Sequence, residues 1–132
     1  MGYRDYKLML CDSQTVTDEV SDYYVDTELT YPAWEKGTPM AVVVTVETAA
    51  TGTTGFEIAI VHNEAGAPTL GDTTLLLMYI PVANLTKGTE IVIPFPQGVP
   101  IKRYVGIDFG DTNADESMVC SAYITPYPIS RQ

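Results

Sequence analysis

The sequence predicts an all-β fold, a two-sheet antiparallel jelly-roll sandwich of about eight strands. Three observations carry this reading. Short runs of β-branched and apolar residues recur about every 8–12 residues, separated by Gly, Pro, Asn, Asp and Thr. No window shows a convincing helical stripe of apolar residues at i, i+3, i+4 and i+7, the pattern of an amphipathic helix. Nine tyrosines and nine prolines favour strands with irregular connections.

The elements follow in order. Residues 6–11 (YKLMLC) form the first strand, which Asp12-Ser13 is expected to end. Residues 21–28 (SDYYVDTE) form a short second strand, followed by a loop holding Tyr31-Pro32 and Trp34. Residues 40–48 (MAVVVTVET) give the strongest strand, because β-branched side chains disfavour helix and suit a pleated surface. A flexible connection, AATGTTG, leads to a strand over 56–62 (FEIAIVH). After a loop through Gly66, Pro68 and Gly71, residues 73–80 (TTLLLMYI) are apolar on both faces. Such a run suits a central strand or a contact surface. Residues 81–88 hold one helical turn or a bulged loop, and strands over 89–95, 103–109 and 117–124 complete the set.

The stretch from Tyr79 to Phe109 is the most informative. Ile91, Ile93 and Phe95 alternate with Glu90, Val92 and Pro94, which puts one face on a core. Pro94, Pro96, Gly98 and Pro100 then break the ladder, since proline has no N–H to donate. An immunoglobulin-like sandwich is the alternative, but Cys11 and Cys120 are too far apart for its usual Cys–Trp–Cys framework.

A length of 132 residues suits one domain over 1–132 with short N- and C-terminal arms. Seventeen acids against seven bases give a net charge of −10. That balance argues against nucleic acid, which needs clustered Lys and Arg, and against anionic membranes. Residues 1–20 lack the continuous apolar core of a secretory signal, and no run is long enough to span a bilayer as a helix. Synthesis in the cytoplasm and a soluble product are expected. Two cysteines make neither a zinc pattern nor a C-x-x-C motif. They read as buried free thiols, with a bridge possible if the first and last strands are neighbours.

The candidate chemistry is sparse. His62, the only histidine, ends a strand whose other same-parity residues are apolar, and no nucleophile motif accompanies it. Asp111, Asn113 and Asp115 have the spacing of calcium ligands, but Glu116 stands where an EF-hand needs glycine and Ala122 where it needs glutamate. A solvated hairpin loop is the plainer reading. Asp18, Glu19 and Asp22 read as a solvated acidic face. Tyr23 and Tyr24 are adjacent, so strand alternation predicts one of them outward. No catalytic residue, cofactor or metal is assigned, and a non-enzymatic protein is expected.

Several segments together resemble the jelly-roll capsid cement, or decoration, proteins of tailed bacteriophages. KLMLCDSQTVT followed by DYYVDTEL resembles that family's opening strand, D-x-Q-x-V-T turn and second short strand. KGTPMAVVVTVETAATG resembles its valine-rich strand. IPVANLTKGTEIVIPFPQG resembles its I-P-x-x-x-L-x-x-G linker and proline-ended strand, and KRYVGIDF its R-Y strand. The chain departs at Gly106 and Asp108, where larger apolar residues are expected. The resemblance implies a structural virion protein on the outer face of the head, made in the host cytoplasm. Its implied partners are the major capsid protein and neighbouring copies of itself, as a dimer or trimer at a local symmetry axis.

Exposure arguments select the capsid or oligomer contacts. They are Tyr3, Arg4 and Tyr6 in the N-terminal arm, Tyr127, Ile129 and Arg131 in the C-terminal arm, and Trp34 as a loop anchor. The alternative function is a carbohydrate-binding β-sandwich module using Trp34, Tyr23 or Tyr24 and the loop at Asp111.

Overall fold

A computed structural model describes residues 9–17, 19–26, 40–69, 72–96, 101–111 and 116–126. Its strands are β1 (Met9–Val16), β2 (Glu19–Val20), β3 (Val25–Asp26), β4 (Met40–Thr51), β5 (Gly55–Asn63), β6 (Thr73–Pro81), β7 (Glu90–Pro94), β8 (Tyr104–Asp111) and β9 (Ser117–Pro126). A single 3-10 turn spans Val82–Asn84.

All pairings are antiparallel. One sheet runs β1-β9-β4-β7, and the other runs β2-β8-β5-β6 with β3 also against β8. The chain changes sheet at every step except the β2/β3 continuation and the β5–β6 hairpin. That alternation is the jelly-roll connection pattern expected from the sequence.

Period-two patterning builds the core. Val42, Val44 and Val46 of β4 face Phe56, Ile58 and Ile60 of β5 and Val105, Ile107 and Phe109 of β8 across the interior. Met118, Cys120, Ala122 and Ile124 of β9 extend the same layer. Burying each large side chain contributes about 1.5–3 kcal/mol, so this layer dominates stability. Ile93 and Phe95 are buried as their alternation predicts. Pro94 is tolerated because β7 ends its sheet, with β4 as its one strand partner among the described residues.

Three boundaries differ from expectation. Asp12-Ser13 does not end the first strand; β1 continues to Val16 through a register shift between Cys11 and Gln14. Ser13 takes a left-handed φ of 50° there. Its N–H donates to Ser121 Oγ at 3.0 Å and its Oγ donates to Glu47 Oε1 at 2.6 Å. Ser121 Oγ donates to the other oxygen of Glu47, so one carboxylate joins three strands around the bulge. Residues 49–51 are strand, not flexible connection.

The second strand is interrupted at Ser21. Its N–H donates to the Ile107 carbonyl at 2.8 Å. Its hydroxyl accepts from the Ile107 N–H at 3.2 Å and donates to the Tyr23 carbonyl at 2.7 Å. A serine side chain thus replaces a ladder partner between β2 and β3.

The linker after β6 places each family-like residue. Pro81 closes the strand at φ −63°, and Leu85 is fully buried. Gly88 sits at φ +88°, where a side chain is disfavoured, and its N–H donates to the Val46 carbonyl at 2.8 Å. Gly106 and Asp108 belong to the outer row of β8, while Val105, Ile107 and Phe109 supply the core. A larger residue at 106 would press on Pro68, whose side chain lies 3.2 Å from the position of a Cβ.

Candidate functional site

His62 lies at the end of β5, where a register shift between Ile60 and Val61 alters the strand's alternation. It is 5% exposed, and its Nδ1 accepts the Lys102 N–H at 3.0 Å. Burial, reinforced by the Lys102 charge, lowers its pKa. A neutral ring that accepts a backbone bond is a structural clasp between β5 and the segment entering β8. The neighbouring loop is closed by Asn63, whose Oδ1 accepts from Ala65 N–H at 2.6 Å. Asp72 accepts from Thr69 N–H at 2.7 Å and Asn63 Nδ2 at 3.1 Å, and these two bonds hold its pKa down.

The thiols of Cys11 and Cys120 are both free and fully buried. They lie on adjacent strands, with Gln14 opposite Cys120 and Cys11 opposite Ala122. A hydrogen bond to Cys120, together with burial, pushes the Cys11 pKa strongly upward. A protonated, enclosed thiol is a poor nucleophile.

Glu116 is 1% exposed. Its Oε2 accepts from the Thr53 and Thr54 N–H groups at 3.2 and 3.0 Å and from Thr54 Oγ1 at 2.8 Å. The carboxylate therefore holds the β4–β5 turn. Asn113 and Asp115 lie outside the described residues. Among the described residues, no group of three His, Cys, Asp or Glu is placed to hold a metal. No helix is long and apolar enough to cross a membrane among them.

Two exposed apolar features remain. Tyr23 and Tyr24 are 55% and 44% exposed, so both face outward. Strand alternation fails there because they lie in the break between β2 and β3. Tyr24 meets Tyr104 edge to face, with ring centroids 5.6 Å apart. Arg103 lies 5.0 Å over the same Tyr104 ring and bonds Asp26 through two nitrogens at 2.7 and 3.0 Å.

The second feature is β6, which ends its sheet at the side opposite β2. Leu77 is 51% exposed and Tyr79 47% exposed, and both project from the outer face. Of the two roles the sequence allowed for this run, a central strand does not match its place at the end of the sheet among the described residues. The missing information was the strand order; the available signal was an uncharged run apolar on both faces.

Every contact residue selected from the sequence (Tyr3, Arg4, Tyr6, Trp34, Tyr127, Ile129 and Arg131) lies outside the described residues. The strands that carry the two arms are described. Met9 at the start of β1 pairs with Tyr123 near the end of β9. The arms are therefore attached at one corner of one sheet.

Strand order, inner rows and exposed aromatic and apolar surfaces together define a jelly-roll β-sandwich. The chain belongs to the Bbp16 family, whose model matches residues 10–114. No curated protein matches the chain.

Proposed function

We propose that this protein is a non-enzymatic capsid decoration protein of a tailed bacteriophage. It binds the outer face of the head and stabilises contacts between major capsid subunits. The observation that carries the reading is that the family-like segments build the jelly-roll scaffold. Gln14 of the D-x-Q-x-V-T turn joins two segments, Leu85 and Gly88 set the linker, and Tyr104 opens β8. Membership in the Bbp16 family fits a phage-derived protein without specifying the decoration role.

The proposed contacts are the two arms, through Tyr3, Arg4, Tyr6, Tyr127, Ile129 and Arg131, with Trp34 from its loop. Copies of the chain associate with one another on the shell. Many weak contacts then act together, and preferential binding to the expanded head stabilises it. Heads lacking the protein should co-sediment with added purified protein and gain resistance to heat. Heads that neither bind it nor gain stability would remove this reading.

A carbohydrate-binding module is the second reading, favoured by the outward rings of Tyr23 and Tyr24. A glycan array run with and without calcium tests it, and silence in both conditions excludes it.

A further inference from the structure

We infer that Cys11 and Cys120 form a latent cross-link, a thiol pair set to close into a disulfide between β1 and β9 when the protein meets an oxidant. The proposed function gives these two thiols no part.

Their placement carries the inference. Cys11 pairs with Ala122, and Gln14 pairs with Cys120. Between those pairs β1 advances three residues and β9 two, so the bulge at Asp12-Ser13 absorbs the difference. Cys11 and Cys120 therefore stand diagonally across neighbouring strands. Both side chains enter the same core cluster, and the two thiols share a hydrogen bond. Sulfur atoms in that contact can be joined without either strand changing partner.

The closed fold keeps the pair reduced. Both residues are fully buried, and both are free thiols. An enclosed thiol stays protonated, and a protonated thiol does not attack a disulfide. The way in is β1, which ends its sheet with β9 as its one strand partner among the described residues. Lifting β1 opens the sulfurs to water and to a small oxidant.

Glutathione disulfide can then close the bridge. The thiolate of one cysteine attacks a glutathione sulfur and expels one glutathione thiolate, leaving a mixed disulfide. The thiolate of the other cysteine attacks the protein sulfur of that mixed disulfide and expels the second glutathione. The two cysteine protons end on the two glutathione thiolates, and two electrons pass from the cysteine pair to the oxidant.

The closed bridge spans a loop that contains every strand from β2 to β8. Long loops are where a cross-link restricts the unfolded chain most. The bridge also fixes together the two strands that carry the arms, where Met9 pairs with Tyr123. On the proposed function, host lysis supplies the change from a reducing to an oxidising medium.

Glutathione buffers of stepped ratio test this, with the bridged fraction read by mass after acid quench and alkylation. The series is run in native buffer and in concentrated urea, from reduced and from pre-bridged protein. The bridge should resist glutathione about 100-fold more strongly in native buffer than in urea, because folding favours the bridge by the factor with which the bridge favours folding. Proteolysis should yield one peptide joining Cys11 to Cys120. Closure from the reduced state should quicken in dilute urea, where β1 opens more often. Cys11→Ala and Cys120→Ala should each lose the rise in thermal midpoint that oxidation gives the wild type.

Equal resistance in buffer and urea, or a bridge weaker in the native protein, would overturn the inference. So would bridges that form between chains, or reduced native protein that never closes in the most oxidising buffer. Head binding by reduced protein is measured separately and bears on the capsid reading alone.

Discussion

The side-chain amide of Gln14 accepts the Asp22 N–H at 2.7 Å. Its nitrogen donates to the Val20 carbonyl and to Glu19 Oε2, each at 3.1 Å. Gln14 sits on β1 of one sheet, and residues 19–22 begin the edge of the other. One 5% exposed side chain therefore ties the two sheets where the chain first crosses between them. Gln14→Ala would leave a backbone donor and a backbone acceptor without these partners. A loss of about 2–3 kcal/mol in urea unfolding is expected. By contrast Arg103→Ala removes a half-exposed ion pair and should cost no more than about 1 kcal/mol.

The single histidine gives the fold a mild acid sensitivity. Its folded pKa lies below the ordinary histidine value of 6.5, so the unfolded chain binds the proton more readily. The stabilising contribution is complete above pH 6.5 and falls as the pH drops from there towards the folded pKa. Asp72 acts lower, because its depressed pKa sustains stability above its ordinary 3.8 and loses it below. Unfolding measured between pH 7 and 5 should show a decline in stability that His62→Gln removes. An unchanged slope in that variant would rule out His62 as its source.

Gly55 opens β5 against the end of β6, and a Cβ there would sit 2.8 Å from the Cα of Pro81. Backbone cannot yield as a side chain can. Gly55→Ala should therefore destabilise by about 1–3 kcal/mol. Gly66→Ala meets nothing within 4 Å and serves as the control, with a change near zero. Equal thermal midpoints for the two variants would contradict this account.

Cys11 and Cys120 should be invisible to a thiol reagent in the native protein and react fully once it is unfolded. Mass analysis without reductant should find two free thiols. Rapid native labelling of either would show that the core around them opens far more readily than its packing implies.

Period-two residues were readable because burial repeats with the pleat: Val42, Val44 and Val46, or Ile93 and Phe95, announce their face unaided. The strand after β7 was also legible: expected over 103–109, it is β8 (Tyr104–Asp111). The bulge at Ser13 was not, because a turn-forming Asp-Ser pair looks the same whether the chain turns or merely steps. What rescues the strand is Glu47, a residue far away in sequence. The break at Ser21 was hidden for the same reason, as its partner Ile107 is remote. The outward pair Tyr23 and Tyr24 followed from that missed break. Leu77 and Tyr79 lay in a run already marked as apolar on both faces, but exposure depends on strand order, which one-dimensional spacing does not carry.

The pairing of β1 with β9 has a kinetic consequence. Gln14 finds Cys120 as its strand neighbour only once every strand through β8 has been made. During synthesis the β5–β6 hairpin is available early, whereas the sheet containing β1 lacks its second strand until β9 is made. Closure of so long a loop makes folding a late and slow event. The valine-rich β4 must wait beside an incomplete sheet, and that interval is when the nascent protein is most exposed to aggregation.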